Sequence, residues 1–356
     1  MARLARSEVF KADKVGVYHA FNRTCRRSWL HGVDPLTGVD HSHRRAWFQE
    51  RMKFLSQHLC LDILAFAIMS NHWHCVIRNR PDLVRKLTDR QVVIRWLSLL
   101  SPRGGRKKQG EEIAESEIEA ILSQPQVVAE LRGRLSDISW FVRLMCQTVA
   151  RRCNIEDECT GRFFENRFDL NKLEDEADVL ACMAYVDLNP IRSGMVDSLD
   201  AADANVSIAE RLRGLDDEPV DSASWLAPLE LASEVDGQPV VVTNELSAEE
   251  IERRRQALSE QMGCLPMSLE AYQRLLLHLA IESRPELQAN STLTADQLRS
   301  PVWKDGRPVD LESLLARTQP LKRRCNASIS SHACRAIRER LARSSGSTPH
   351  GPPVPT

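Results

Sequence analysis

Several things are scarce in this 356-residue chain, and each scarcity excludes something. No apolar run approaches the ~18 residues that a membrane span needs, so no membrane insertion is expected. The start, MARLARSEVFKADK, has basic residues but no apolar core segment, so no secretory signal is expected. Ten cysteines are scattered without a single CxxC pair. That argues against a zinc ribbon or a thioredoxin-like motif, and reduced thiols in a cytosolic protein are the simplest account. Aromatic residues make up only 5%, and tyrosine occurs three times, at 18, 185 and 272. Net charge is also nearly absent, at −1, but that balance hides an asymmetry. Residues 1–110 carry 21 Lys and Arg against 8 Asp and Glu, whereas residues 200–256 are acidic. A basic first third suggests a polyanionic partner, and an acidic stretch suggests a solvated connector.

What is present reads as alternating elements. VGVYHAF (15–21) is a strand, followed by a Gly, Pro and Asp-rich loop. Trp47, Phe48, Met52, Leu55 and Leu59 recur at helical spacing over 44–59. Residues 61–69 form an apolar strand, Ser70-Asn71 a turn, and 72–78 a second strand, together a hairpin. Residues 81–135 read as an insertion of short helices broken by a flexible basic loop, PRGGRKKQG. A strong amphipathic helix resumes over 135–154, with Ser136 or Asp137 as its cap. GRFFENRFDLNKL (161–173) is strand-like. A helix then starts near Asp175, with a core stripe of Ala177, Leu180, Ala184 and Leu188, and Pro190 ends it near Asn189. Beyond residue 200 the signals weaken to linkers and two helices, and the tail GSTPHGPPVPT is Pro/Gly-rich and read as disordered.

This order predicts an α+β protein: an antiparallel sheet with helices packed on one face and the other face open to a ligand. The expected divisions are a first domain over 1–200 containing the 81–135 helical insertion, an acidic linker and helix over 201–260, a mainly helical C-terminal extension over 261–340, and the tail, 341–356.

The chemistry-bearing stretch is MSNHWHCVIRNRP (69–81). In a strand, residues i and i+2 share a face, so His72 and His74 point together while Trp73 faces the opposite side. Two imidazoles so placed are able to share a metal ion, although ordinary histidines also occur at this spacing. No HxHxDH extension follows, so a metallo-hydrolase pattern is not supported. Tyr185 lies one helical turn before Asn189, so hydroxyl and amide face one side. Taken bare, a tyrosine near a helix end is more often a core or interface residue. Arg162 and Arg167 flank aromatics in GRFFENRF, a mixture suited to unpaired bases and phosphates. Arg23, Arg26, Arg27, Arg78 and Arg80 cluster in sequence around the histidines, and Arg192 follows the Asn-Pro pair. All are candidates for a salt-sensitive phosphate track.

MSNHWH, GRFFENRF and AYVDLNPIRSGMV resemble, in order and spacing, the single-tyrosine HUH transposases of insertion sequences. They look closest to the branch called REP-associated tyrosine transposases, and the resemblance covers roughly residues 10–198. It implies a ferredoxin-like domain that cuts and rejoins single-stranded or hairpin DNA in the cytoplasm, at the nucleoid. By position, His72 and His74 would bind Mg²⁺ or Mn²⁺ with Asn189 as third ligand. Tyr185 would attack the scissile phosphate and leave a 5′-phosphotyrosine link. The competing expectations are a non-catalytic DNA-binding regulator and a metal-dependent single-strand nuclease. The oligomeric state, a homodimer included, stays open.

Overall fold

A computed structural model describes residues 6–25, 28–34, 37–100, 113–201, 204–216, 225–230, 263–285, 287 and 300–327. Four strands, β1 (Gly16–Arg23), β2 (Leu61–Ile68), β3 (His72–Asn79) and β4 (Asp169–Leu173), form one antiparallel sheet in the order β2-β3-β1-β4. β1 and β3 are central, paired over eight residues from Gly16↔Asn79 to Arg23↔His72. The chain runs strand, helix, strand, strand, helix, strand, which is the ferredoxin-like α+β arrangement expected from the sequence.

Alternation along the strands sorts side chains into two layers. Tyr18, Ala20, Phe66, Trp73, Cys75 and Ile77 face one side and share a core with Phe48, Met52 and Leu55 of the helix Arg44–His58. Phe141, Met145 and Val149 of the helix Ile138–Glu156 complete that layer. Trp73 is fully buried there, so the bulky residue between the two histidines is absorbed by the helical side. Asp137 caps the second helix by accepting from the Ser139 N–H. Arg44 fastens the two helices, reaching Glu156, Asp157 and the Leu30 carbonyl from a buried position.

The opposite face departs from expectation, because it is covered. Phe21, Leu64, Ala65, Ala67 and Val76 pack under the helix Glu176–Asp187 and, beyond it, the helices Ser207–Asp216 and Leu269–Ser283. The reason lies in Glu176–Asp187 itself, in which every residue from Val179 to Asp187 is buried. A helix apolar on all sides needs cover on all sides. A register shift between Ile63 and Ala65 puts Leu64 and Ala65 on this same face.

The extension also seals the outer edge of β2. Ile68 N–H donates to Asn205 O, Phe66 N–H to Ser207 Oγ, and Ala227 N–H to Ile63 O. Arg211 donates to the Leu64 and Ala227 carbonyls at 2.8 Å. An unpaired strand edge would otherwise invite pairing with another chain. Residues 204–216 and 225–230 therefore belong to the folded core, although the sequence reads as a linker there. Among the described residues of 81–135 are four helices, Pro81–Lys86, Asp89–Leu100, Glu115–Leu122 and Pro125–Arg134. PRGGRKKQG, the acidic 231–262 stretch with its expected helix, Arg26, Arg27 and the tail lie outside the described residues.

GRFFENRF is not a continuous strand. Only Asp169–Leu173 pairs with β1, and the preceding residues loop around its end through a Thr24↔Phe164 bridge. Phe163 and Phe168 turn inward to the core, which opposes the tight alternation a strand would impose.

Candidate active site

The site forms where β1 and β3 end together beneath the helix Glu176–Asp187. Antiparallel pairing sets Arg23 opposite His72 and Phe21 opposite His74. His74 therefore meets, diagonally, the side chain two residues back on β1. That residue is His19, and its Nε2 lies 3.0 Å from His74 Nδ1. His72 stands edge-on to His74, with ring centroids 5.0 Å apart.

Tyr185 comes down onto this pair from the helix. Its ring is 5.6 Å from that of His74 and 6.3 Å from that of His19, edge-on to both. The helix is broken at Leu188 and resumes as the short turn Asn189–Arg192, since Pro190 has no N–H to continue the ladder. The stripe nonetheless carries on, because the Arg192 guanidinium lies 5.9 Å from the Tyr185 ring centroid. Tyr185, Asn189 and Arg192 thus stand at i, i+4 and i+7.

Hydrogen bonds fix the imidazole states. Asn71 Oδ1 only accepts, so at 2.7 Å it takes the Nδ1–H of His72 and leaves Nε2 its lone pair. Between His19 and His74 one ring donates and the other accepts, and the outward nitrogens, His19 Nδ1 and His74 Nε2, have no hydrogen-bond partner. Burial pushes His19 down to about 3 and His74 well below the usual histidine range. Burial, with the nearby Arg23 charge, also lowers His72 to about 3. All three rings are neutral near pH 7, the form in which imidazole binds metal ions. Among the described residues, no group of three or more His, Cys, Asp or Glu is arranged to hold a metal ion. A donor set here would have to draw on the imidazoles; one turn beyond Tyr185, the Asn189 Nδ2 is buried without a partner.

Arg192 is half-buried: its Nε donates to Ser283 Oγ at 3.4 Å, its Nη1 and Nη2 have no hydrogen-bond partner, and burial lowers its pKa against the opposing charge of Glu282. Arg23 ends β1 beside His72. The loop carrying Arg162 and Arg167 is tied to that same end, since Glu165 N–H donates to Arg23 O and Asn22 Nδ2 to Asn166 O. Both arginines are exposed there. Phe163 and Phe168 are buried and offer no face to a base, which corrects the stacking expectation for those two, while Phe164 is half-buried against Phe48 and Phe163.

Arg78 and Arg80 require a further correction. Arg78 Nη2 lies 2.6 Å from Asp62, and Arg80 bridges Asp62 and Asp82. Both are buried near the far end of β3, roughly 20 Å from His72 at ~3.3 Å per residue. They lock the hairpin and do not border the site.

Sequence reasoning missed two components. His19 was visible only as an alternate position on the first strand, and its partner depends on register. Asp187, between Tyr185 and Asn189, is buried and accepts from Tyr272 Oη at 2.7 Å, Ile208 N at 2.9 Å and Ser207 Oγ. It braces the tyrosine helix against two C-terminal helices.

These features define the class: a ferredoxin-like α+β sheet carrying a neutral histidine cluster under a helix-borne tyrosine. Neither a scan of protein-family models nor a search of curated proteins finds a match. Among solved structures, the chain is similar to one described as "Structure of the REP associates tyrosine transposase bound to a REP hairpin". The likeness spans 68% of this chain and 100% of that chain, with 14% identity and a TM-score of 0.34. A likeness of this degree assigns no role to any residue. Among the described residues, no helix is long and apolar enough to cross a membrane.

Proposed function

We propose that the chain is a strand transferase of the REP-associated tyrosine transposase kind, which cleaves and rejoins single-stranded or hairpin DNA through Tyr185. The observation that carries this reading is the approach of the Tyr185 ring to within 5.6 Å of His74, from an element 111 positions later in the chain. A core tyrosine has no need of a histidine cluster with an unpaired buried nitrogen.

His72 Nε2, His74 Nε2 and the Asn189 amide oxygen would hold a labile divalent ion with open positions. With His74 Nε2 as a metal ligand, its Nδ1–H would donate to His19, and His19 would orient the ligand from behind. Mg²⁺ or Mn²⁺ held there would supply charge stabilisation to the scissile phosphate. Arg192 and Arg23 hold the phosphate from either side, and the exposed Arg162 and Arg167 extend the basic track. The Tyr185 oxygen attacks phosphorus and loses its proton. The bond from phosphorus to the 3′-oxygen breaks, and that oxygen leaves as a 3′-hydroxyl. The phosphotyrosine ester keeps the energy of the broken bond, so rejoining needs no nucleotide cofactor.

Incubating the protein with a single-stranded oligonucleotide and running a denaturing gel tests the reading. An adduct that forms with Mg²⁺, disappears with EDTA and is absent in Tyr185→Phe is expected. Cleavage without an adduct would assign a water-using nuclease instead, and binding without cleavage a regulator.

A further inference from the structure

The segment joining β1 to the helix Arg44–His58 has a peculiar distribution of apolar side chains. Five large hydrophobic residues are exposed among the described residues, and three of them, Trp29 (40%), Val33 (52%) and Val39 (49%), lie in this one segment. Isolated exposed hydrophobics need no explanation, but a concentration that includes an indole does.

The exposure of Trp29 does not come from a loose backbone. Thr24 N–H and Oγ1 both donate to Asn71 O, at 3.0 and 3.1 Å. The one Thr24 hydroxyl proton is shared with the nearer carbonyl of Ser28, the residue before the indole. On the other side, the Leu30 carbonyl accepts from the buried Arg44. His31 is fully buried between Phe48 and Phe163, and its N–H donates to Ser70 O. Gly32 is pressed so closely on Ser70 that a Cβ there would sit 2.3 Å from the serine Cβ. Residues on both sides of Trp29 are thus anchored to Ser70-Asn71, the turn that leads directly into His72. The described backbone on both sides of Trp29 is hydrogen-bonded while the indole stays partly exposed.

The charge nearby selects the occupant. Arg23 is paired with His72 in the sheet. In sequence, Arg26 and Arg27 immediately precede Ser28-Trp29, whereas Arg44 of the same segment is buried and paired with Glu156 and Asp157. A fixed, exposed aromatic face in a basic setting is the arrangement that stacks unpaired bases while cations hold the backbone. An apolar protein partner would favour a patch with less positive charge. We propose that Trp29 is a stacking platform for one unpaired base of the strand whose phosphate lies at His72 and Tyr185. The platform holds that strand in register with the histidine pair. Val33 and Val39, exposed in the same segment, are linked through the Asp34 N–H···Val39 O bond.

This inference rests on the DNA-processing reading above, and the test separates the two. Binding of a labelled single strand of about 16 nucleotides is measured by fluorescence anisotropy with Mg²⁺, in a Tyr185→Phe background so that no strand is cut. Trp29 intact, Trp29→Ala and Trp29→Phe are compared, each against the same strand with single abasic sites scanned along it. Trp29→Ala is expected to weaken binding about 5- to 150-fold, and Trp29→Phe far less. One abasic position should weaken the Trp29 protein by the same factor and leave Trp29→Ala unaffected. Affinity within twofold for Trp29→Ala, or equal abasic penalties in both proteins, overturns the platform while leaving the strand-transfer reading intact. A Trp29→Ala effect on self-association alone, seen by gel filtration, also overturns it. Failure of the Trp29 protein to bind any single strand removes both proposals together.

Discussion

Acid should destabilise this fold well before its carboxylates are protonated, because it buries neutral histidines. His19 and His31 are both fully buried, and burial holds each down to about 3, against an ordinary value of 6.5. As pH falls through 6.5 the unfolded chain takes up a proton at each ring and the folded chain does not. The stability these rings allow is therefore complete above about pH 6.5 and is lost progressively down towards pH 3. Each ring contributes a slope of ~1.4 kcal/mol per pH unit in that window. Between pH 7 and about pH 4.5 that amounts to ~2.5 kcal/mol per histidine, or ~5 kcal/mol for the two. A loss of this size is comparable to the entire stability of many domains, ~5–15 kcal/mol. His74, lowered in the same direction, adds to it, whereas the buried Asp187 carboxyl, raised by desolvation, opposes it. Urea unfolding followed by circular dichroism at stepped pH reads the slope directly. His31→Phe isolates one ring, since phenylalanine keeps the packing against Phe48 and Phe163 and cannot titrate. The slope should fall by ~1.4 kcal/mol per pH unit in that variant. A stability flat between about pH 7 and 5, or a slope unchanged by His31→Phe, refutes the reasoning.

Tyr272→Phe removes a 2.7 Å donor from the buried Asp187 carboxylate, so thermal melting should show a loss of ~1–3 kcal/mol. Because Asp187 sits between Tyr185 and Asn189, adduct formation should also slow in that variant without disappearing. Gly32→Ala forces a Cβ into Ser70 and should destabilise by ~1–3 kcal/mol, with Ser70→Gly in the same chain restoring part of the loss. His19→Ala takes away the partner of His74 Nδ1 at 3.0 Å. Mn²⁺ affinity, read by electron paramagnetic resonance, should drop ~10–100-fold.

The sheet and its flanking helices were legible because their periods are clean. The alternation of HWHCVIRN alone put His72 and His74 on one face and Trp73 on the other. The tyrosine helix was equally plain, but its stripe of Ala177, Leu180, Ala184 and Leu188 understated it. The run from Val179 to Val186 holds no charged residue, and that composition already signals burial on every side, hence a covered sheet face. Arg78 and Arg80 misled because sequence shows charge but not partner. Asp62, lone and acidic within LDILAFAI, was the available sign, and antiparallel pairing sets it opposite Arg78. His19 could not be joined to His74 without the register, which depends on which strands neighbour each other. The Asp187 brace depends on contacts across 85 residues and leaves no local pattern.

The central claim is that Tyr185 forms the bond to DNA, and the three tyrosines make it decidable. Tyr18 is buried on the opposite sheet face, its hydroxyl accepting from Lys11 N–H. Tyr272 is buried with its hydroxyl committed to Asp187. Only Tyr185 faces the histidine pair. Protease digestion of the trapped protein–oligonucleotide adduct, followed by mass spectrometry, locates the modified residue. The account predicts a nucleotide on the peptide containing Tyr185, and a nucleotide on Tyr18 or Tyr272, or on no tyrosine, contradicts it.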